Sequence, residues 1–365
     1  MNQKSLRGSM AEINGRAGSA WSAALDRVQV ARGVGRMALL LVATFAVFAV
    51  LRPGIFLDSV NLTNIAIGVP EIGLLSLAVM IAMLTGGIDL SVVAIANGTA
   101  ITVSSLYTAV ATAQGASAAE AMTPLILLAG LAVGLLMGAV NGVLISVVGI
   151  TPILVTLGTM QVFNGLALVW TKGVTISGAP SALRTMGQTA VLGVPVLLII
   201  LLAAAAALGV LINRTPIGRK IQLQGANPVA ARYSGISSRA TLMMTYTTSG
   251  LLSAVAGLLF LSRNPSASAD YGSSYVLLVI VIVVLGGTNP QGGFATVLGV
   301  VLATLTLQVV SSGFTALRLS TFEYAIAQGA ILIGVMVLDQ LRFKKPRRPA
   351  PVASEPQPVS TAPDK

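Results

Sequence analysis

Cysteine and histidine are both absent from this chain of 365 residues. Without cysteine there is no disulfide framework and no thiolate metal site. Without histidine the commonest zinc ligand and the commonest general base are missing, and no nucleophile–histidine pair can form. Charge is scarce too: 9% of residues are charged and 55% are hydrophobic, against about a quarter charged in an ordinary soluble domain. A water-soluble globule of this size could not cover its surface with so few charges, and a disordered chain would be far less apolar. No Gly-x-x-x-x-Gly-Lys-Ser/Thr phosphate loop occurs, so the chain does not bind ATP in that way. The acids are too scattered to argue for a catalytic carboxylate pair. Neither a catalytic group nor a metal site is expected, and the class left is an all-α polytopic membrane protein.

What is present fits that class. Thr185–Asn213 and Ala240–Ser262 carry no charge, and Ala121–Thr171 and Tyr271–Leu317 are uncharged stretches each long enough for two spans. A helix needs about 20 apolar residues to cross a bilayer. A membrane β-barrel would instead show short segments of alternating polarity. Ten spans are expected, at about Met37–Leu51, Leu62–Leu84, Val92–Ala111, Pro124–Val148, Pro152–Trp170, Ala190–Ile212, Ala240–Leu261, Ser274–Leu285, Gly293–Ser312 and Phe322–Leu338. They form a transmembrane domain over 37–340, between a basic tail at 1–36 and a Pro/Ser/Ala-rich tail at 341–365 expected to be disordered. No cleavable leader is expected, because the apolar run begins only near Met37.

The net charge of +11 is a topology signal, not a nucleic-acid footprint, since no basic groove is interleaved with aromatics. With both termini inside, an even span count puts Arg36, the 213–239 loop with Arg214, Arg219, Lys220, Arg232 and Arg239, and the 342–348 cluster on the cytoplasmic side. Only Arg52, Lys172, Arg184, Arg263 and Arg318 fall outside, as the positive-inside rule requires.

Four segments stand out. In the 213–239 loop, Asn227-Pro228 is a helix start with Asn as cap and Pro at the first position, and Gly235 fits the helix end. A short helix over about Pro228–Ser234 follows. It is either a linker that keeps positive charge inside or a docking helix for a cytoplasmic partner. The turn Gly86-Gly87-Ile88-Asp89-Leu90-Ser91 offers glycine geometry and an acid placed to cap the next helix, as a structural cap or a functional group. A like turn recurs at Gly286-Gly287-Thr288-Asn289 with Gly292-Gly293, a likeness of the kind that internal duplication leaves. Gly130, Gly134, Gly138 and Gly142 share one helix face and allow close helix approach, with Asn141 placed to hydrogen-bond across it. Glu71 and Glu323 should face protein or a watery path; packing or polar lining suits them better than a proton relay.

Leu84-Thr85-Gly86-Gly87-Ile88-Asp89-Leu90-Ser91 closely resembles a hallmark of the ribose-type permeases of ABC sugar importers. So do Asn141–Ile145 with Thr151–Met160, then Thr215–Arg219 with Gly225–Ile236, and Leu285–Thr288 with Gly292-Gly293. The segments occur in family order over about Asn61 to Leu338. Val92-Val93 departs from the pattern, standing where a glycine is expected nearby.

The resemblance implies a subunit of the bacterial inner membrane that pairs with a second copy or a paralogue. A periplasmic binding protein would deliver a sugar or polyol, and a cytoplasmic ATPase would bind ATP–Mg, so this chain needs no cofactor of its own. Gly218, Arg219, Gly225, Asn227, Pro228, Ala231, Arg232 and Gly235 would then couple to the ATPase. Gly86, Gly87, Asp89, Ser91, Gly286, Gly287 and Asn289 would form gating turns or part of the path. The alternatives are a permease for branched-chain amino acids or nucleosides in a related importer, and an ion-coupled secondary transporter using Glu71 or Asp89.

Overall fold

The computed structural model describes residues 33–320, 322–330 and 333. Both tails therefore lie wholly or almost wholly outside the described residues. Of the expected tenth span only 322–330 and 333 are described, and they are helical.

Among the described residues, eight helices are long and apolar enough to cross a membrane. They are α1 (Gly33–Leu51), α3 (Ser59–Leu84), α4 (Val92–Gln114), α6 (Thr123–Val143, prolonged by a π turn over Leu144–Val148), α7 (Pro152–Thr171), α9 (Val196–Arg214), α12 (Ser238–Arg263) and α14 (Val297–Ala316). Shorter helices lie between them: α2 (Pro53–Phe56), α5 (Ala116–Ala121), α8 (Ser181–Gln188), α10 (Pro216–Ala226), α11 (Pro228–Tyr233) and α13 (Tyr275–Leu285). Among the described residues there are also four two-residue strands: β1 (Ile176–Ser177), β2 (Ala190–Val191), β3 (Val194–Pro195) and β4 (Ser266–Ala267).

One expected span takes a different form, and another lies at its expected bounds but is too short to cross. The sixth starts at Val196 and not at Ala190. Residues 190–195 fold as the β2–β3 hairpin, whose two loop residues, Leu192 and Gly193, both have positive φ, the geometry of a tight hairpin turn. The eighth, α13, has 11 residues. At 1.5 Å per residue that is about 16 Å, half the thickness of the hydrocarbon core. The chain between Arg263 and Tyr275 is not helical, and other segments satisfy its backbone. β4 pairs with β1, Gly178 donates to the Pro265 carbonyl, and the Asn97 amide donates to the carbonyls of Ala269 and Tyr271 at 3.0 and 2.8 Å.

Helix α3 is the axis of the fold. Its residues Leu74 to Leu84 are essentially unexposed, enclosed by α9, α12, α13 and α14. Val92 and Val93 are buried as well, so the departure from the resembled pattern is accommodated inside the core. Large apolar side chains are exposed on α1 (Leu39, Val42, Val50), α6 (Leu125, Leu128, Leu136) and α7 (Leu154, Leu166, Val169). In water such a surface would aggregate; in a bilayer it is the lipid-facing belt.

The glycine face of α6 packs as its spacing predicts, against α4 and α12. A Cβ on Gly138 would stand 2.6 Å from the Tyr246 carbonyl oxygen and 2.8 Å from Gly250 Cα. On α7, by contrast, Gly158 has nothing within 4 Å of its Cβ position. Gly138→Val should therefore destabilise the folded protein by about 1–3 kcal/mol or more, whereas Gly158→Ala should be neutral or slightly stabilising. Unfolding of the two variants in mild detergent, followed by tryptophan fluorescence, checks the contrast.

Candidate functional site

The 213–239 loop builds its helices as its residues dictate. The Thr215 hydroxyl accepts from the Gly218 amide at 3.2 Å and donates to the Leu211 carbonyl at 2.6 Å, which sets α10 against the end of α9. A side chain at Gly218 would collide with the carbonyls of Leu211 and Ile212. Asn227 Oδ1 accepts the amides of Val229 and Ala230 at 3.1 and 3.0 Å and starts α11. Gly235, at φ 76°, ends it: the Ile236 amide donates to the Ala231 carbonyl and the Gly235 amide to that of Arg232. The expected range Pro228–Ser234 is thus observed to within one residue.

The helix divides by face. Ala231 is buried, while Arg232, Tyr233 and Val229 are exposed, as are Arg219 and Lys220 on α10. Tyr233 is 91% exposed, and with Val229 it was not among the residues singled out from sequence. The signal was present in the short helix itself: once Ala231 points inward, its neighbours must point out.

The two glycine turns close alike. At the end of α3, Gly86 (φ 84°) donates to Met83 and Gly87 to Ala82; at the end of α13, Gly287 (φ 87°) donates to Val284 and Thr288 to Val283. Both are Schellman closures, which need a left-handed residue that glycine adopts without strain. Each also contains an Asx turn, Asp89 Oδ1 accepting the Ser91 amide and Asn289 Oδ1 accepting the Gln291 amide, both at 3.0 Å. The likeness read from sequence is therefore one of geometry as well.

These turns and the 213–239 loop, remote in sequence, meet. The Gly293 amide donates to the Leu84 carbonyl at 2.9 Å. Gly225 of α10 lies against the same carbonyl so closely that a Cβ there would collide with it. A Cβ on Gly292 would stand 2.7 Å from the Gly86 amide and 2.9 Å from the Gly225 carbonyl. Gly286 packs onto the backbone of Gly299 and Val300 at the start of α14. The junction is main chain against main chain.

Beside it runs a chain of buried polar groups. Asp89 Oδ1 accepts from the Ser91 hydroxyl at 2.6 Å, and Oδ2 from Ser249 of α12 at 2.8 Å. Asn141 of α6 donates to Ser91 Oγ and accepts from Thr159 of α7, each at 2.7 Å. Asp89, Ser91, Asn141 and Ser249 have no exposed surface. Asp89 thus holds the turn before α4 and ties it to α12, and it does not bond the first-turn amides of α4, as a cap of that helix would. Tyr246 stands over Gly87, fully buried, with no hydrogen-bond partner for its hydroxyl among the described residues.

The two glutamates part company. Glu323 is exposed and forms a capping box with Ser320, accepting its amide at 2.6 Å and its hydroxyl at 2.9 Å. Glu71 is buried on α3; its Oε2 accepts from Arg263 at 3.4 Å and from Tyr271 at 3.2 Å. Sequence reading assigned Arg263 to an outer loop and missed this pair. Among the described residues, no cluster of three or more metal-ligating acids is found.

Comparison with known proteins agrees with this architecture. Residues 61–338 match the family model described as "branched-chain amino acid transport system / permease component". The ribose import permease protein RbsC of Bacillus subtilis (strain 168) is 35% identical over 296 residues, 80% of this chain and 88% of the relative. The autoinducer 2 import system permease protein LsrD of Yersinia enterocolitica is 35% identical over 272 residues, covering 73% and 79%. The D-allose transport system permease protein AlsC of Escherichia coli (strain K12) is 30% identical over 305 residues, covering 84% and 91%. No solved structure matches the chain.

The polar chain yields a direct test. Asn141→Leu leaves Ser91 and Thr159 each short of a buried partner, so the variant should lose about 2–4 kcal/mol of stability. Asn141→Asp, which keeps one acceptor for Thr159, should lose less. Unfolding midpoints in one detergent rank the two.

Proposed function

The chain belongs to the family of branched-chain amino acid transport system permease components, and on that premise we propose that it is the membrane-spanning subunit of an ABC importer for a sugar or related polyol. Ribose, allose and autoinducer 2 in the names of its relatives support this substrate class over amino acids. The subunit performs no covalent chemistry. It sits in the bacterial inner membrane with both termini cytoplasmic and pairs with a second permease, identical or paralogous. A periplasmic binding protein loads it, and a separate ATPase, holding ATP–Mg, drives it.

The observation that carries the reading is the position of α11. It displays Arg232, Tyr233 and Val229 outward, while α10, to which it is joined through Asn227, is locked by Gly225 to the end of α3 and to the α13–α14 loop. A push on α11 has no side-chain cushion to compress before it reaches the axis of the fold. Closure of a docked ATPase is thereby converted into movement of α3, α13 and α14, and alternating access follows as a shift between two packings.

An ion-coupled mechanism finds less support. Asp89 is committed to three hydrogen bonds and Glu71 to Arg263 and Tyr271. Neither is the free intramembrane acid that such a cycle protonates.

Arg219→Glu combined with Arg232→Glu, both exposed and so harmless to folding, should lower coupled sugar uptake by about tenfold or more through lost docking. The complex is purified from native membranes through a tag on this chain and assayed in proteoliposomes for uptake and ATP hydrolysis. Full coupled uptake by the double variant removes the docking role, and ATP-independent uptake driven by an ion gradient removes the importer reading.

A further inference from the structure

Away from the junction, a cavity of about 300 Å³ opens between α8, the first half of α3 and the end of α12. Its volume is at the lower end for small-molecule sites. The wall is polar: Asn64, Arg184, Gln188, Ser262, Arg263 and Asn264 line it. Helix α8 lies across the end of α12 so tightly that a Cβ on Gly187 would collide with the Ser262 carbonyl. It is tethered at its other end by Glu120, which accepts from the amide and hydroxyl of Ser181.

Three independent features converge here. The first is the break between α12 and α13, where non-helical backbone replaces half a span. In a membrane such backbone is tolerated only when buried in protein or lining a watery cavity, and broken helices commonly border the solute site of transporters. The second is the buried carboxylate of Glu71, reached from the cavity by Arg263 at 3.4 Å and bonded by Tyr271, whose hydroxyl lies 3.5 Å from that of Tyr275 at the start of α13. The third is charge. Arg263 is paired with Glu71. Arg184 is close enough to Glu120 to act on it: burial would raise that carboxyl, but hydrogen bonds from Ser181 and Tyr107, with the field of Arg184, hold it below its ordinary range. The charge of Arg263 is met by Glu71, and the cavity offers amide and guanidinium donors beside amide acceptors, a lining suited to hydroxyl groups.

We infer that this cavity is a station for a neutral, hydroxyl-rich solute, held by Asn64, Gln188 and Asn264 at its rim and by the Arg263–Glu71 pair at its floor. The inference rests on the sugar-importer reading and deepens it by giving the solute a place inside one subunit. Arg263 serves as the movable element. It has five donors and only one described partner, at a long distance, so it can exchange Glu71 for a solute hydroxyl at little cost.

The test uses the full-length protein in lipid nanodiscs, titrated with D-ribose and separately with L-leucine, with binding read by saturation-transfer NMR. Gln188→Ala and Asn264→Ala alter exposed side chains, and Glu71→Gln with Arg263→Gln removes both charges together, so that no lone buried charge threatens the fold. Ribose should give a signal with the parent protein, weakened about fivefold by each single change and abolished by the double one, while leucine gives none. A ribose signal unchanged in all variants overturns the site and leaves the importer reading standing. Leucine signal in place of ribose, lost in the same variants, keeps a binding cavity but overturns both the ligand class and the sugar reading. Equal signals from the two solutes, or none from either, overturn the inference.

Discussion

A single main-chain hydrogen bond, from the Gly293 amide to the Leu84 carbonyl, joins the end of the central helix to the loop that precedes α14. It forms only because no side chain intervenes. Gly86, Gly225, Gly292 and Gly293 let three backbones approach to contact distance, where any larger residue would hold them apart. In a hydrocarbon surrounding, an unmet carbonyl at a helix end is costly. The contact therefore satisfies the terminus of α3 and fixes α10 and the α13–α14 loop against it at once. The lipid-facing belt, the buried polar chain and the outward display of α11 are arranged around that fixed point.

Much of this was legible in the sequence because its causes are local. Asn227-Pro228 and Gly235 dictate α11 through capping alone, and the observed helix ends one residue from the expected limit. The four-residue glycine spacing on α6 specified a close contact before its partners were known. The similarity of the two glycine turns was visible as well. What sequence could not give was the meeting of distant pieces. Nothing near Gly225 announces Leu84 or Gly293. Arg263 ends a long apolar stretch, and charge counting assigns it to the outer side; its pairing with Glu71 depends on α12 stopping at the level of the middle of α3. The shortness of α13 was in view, but a non-helical segment held by β1, β4 and Asn97 is made of partners 89 to 174 residues apart.

The polar residues of the interior follow one economy. Asp89, Ser91, Asn141, Thr159 and Ser249 are mutually satisfied, and the network orients four segments, the α3–α4 turn, α6, α7 and α12. Such a chain is worth more for uniqueness of packing than for net stability. Side-chain hydrogen bonds between membrane helices are modest individually, yet each fixes a register that apolar packing leaves free.

The half-length of α13 has an electrical consequence. Its N-terminal turn carries the positive pole of the helix dipole, and Tyr275 and Tyr271 connect that pole to the carboxylate of Glu71, which also accepts from Arg263. The carboxylate is thereby held between the pole of a half-helix and a guanidinium, two positive partners that offset its charge where solvent screening is weak. A full-length span would have carried that pole to the membrane face; the short α13 leaves it inside the fold beside a buried acid.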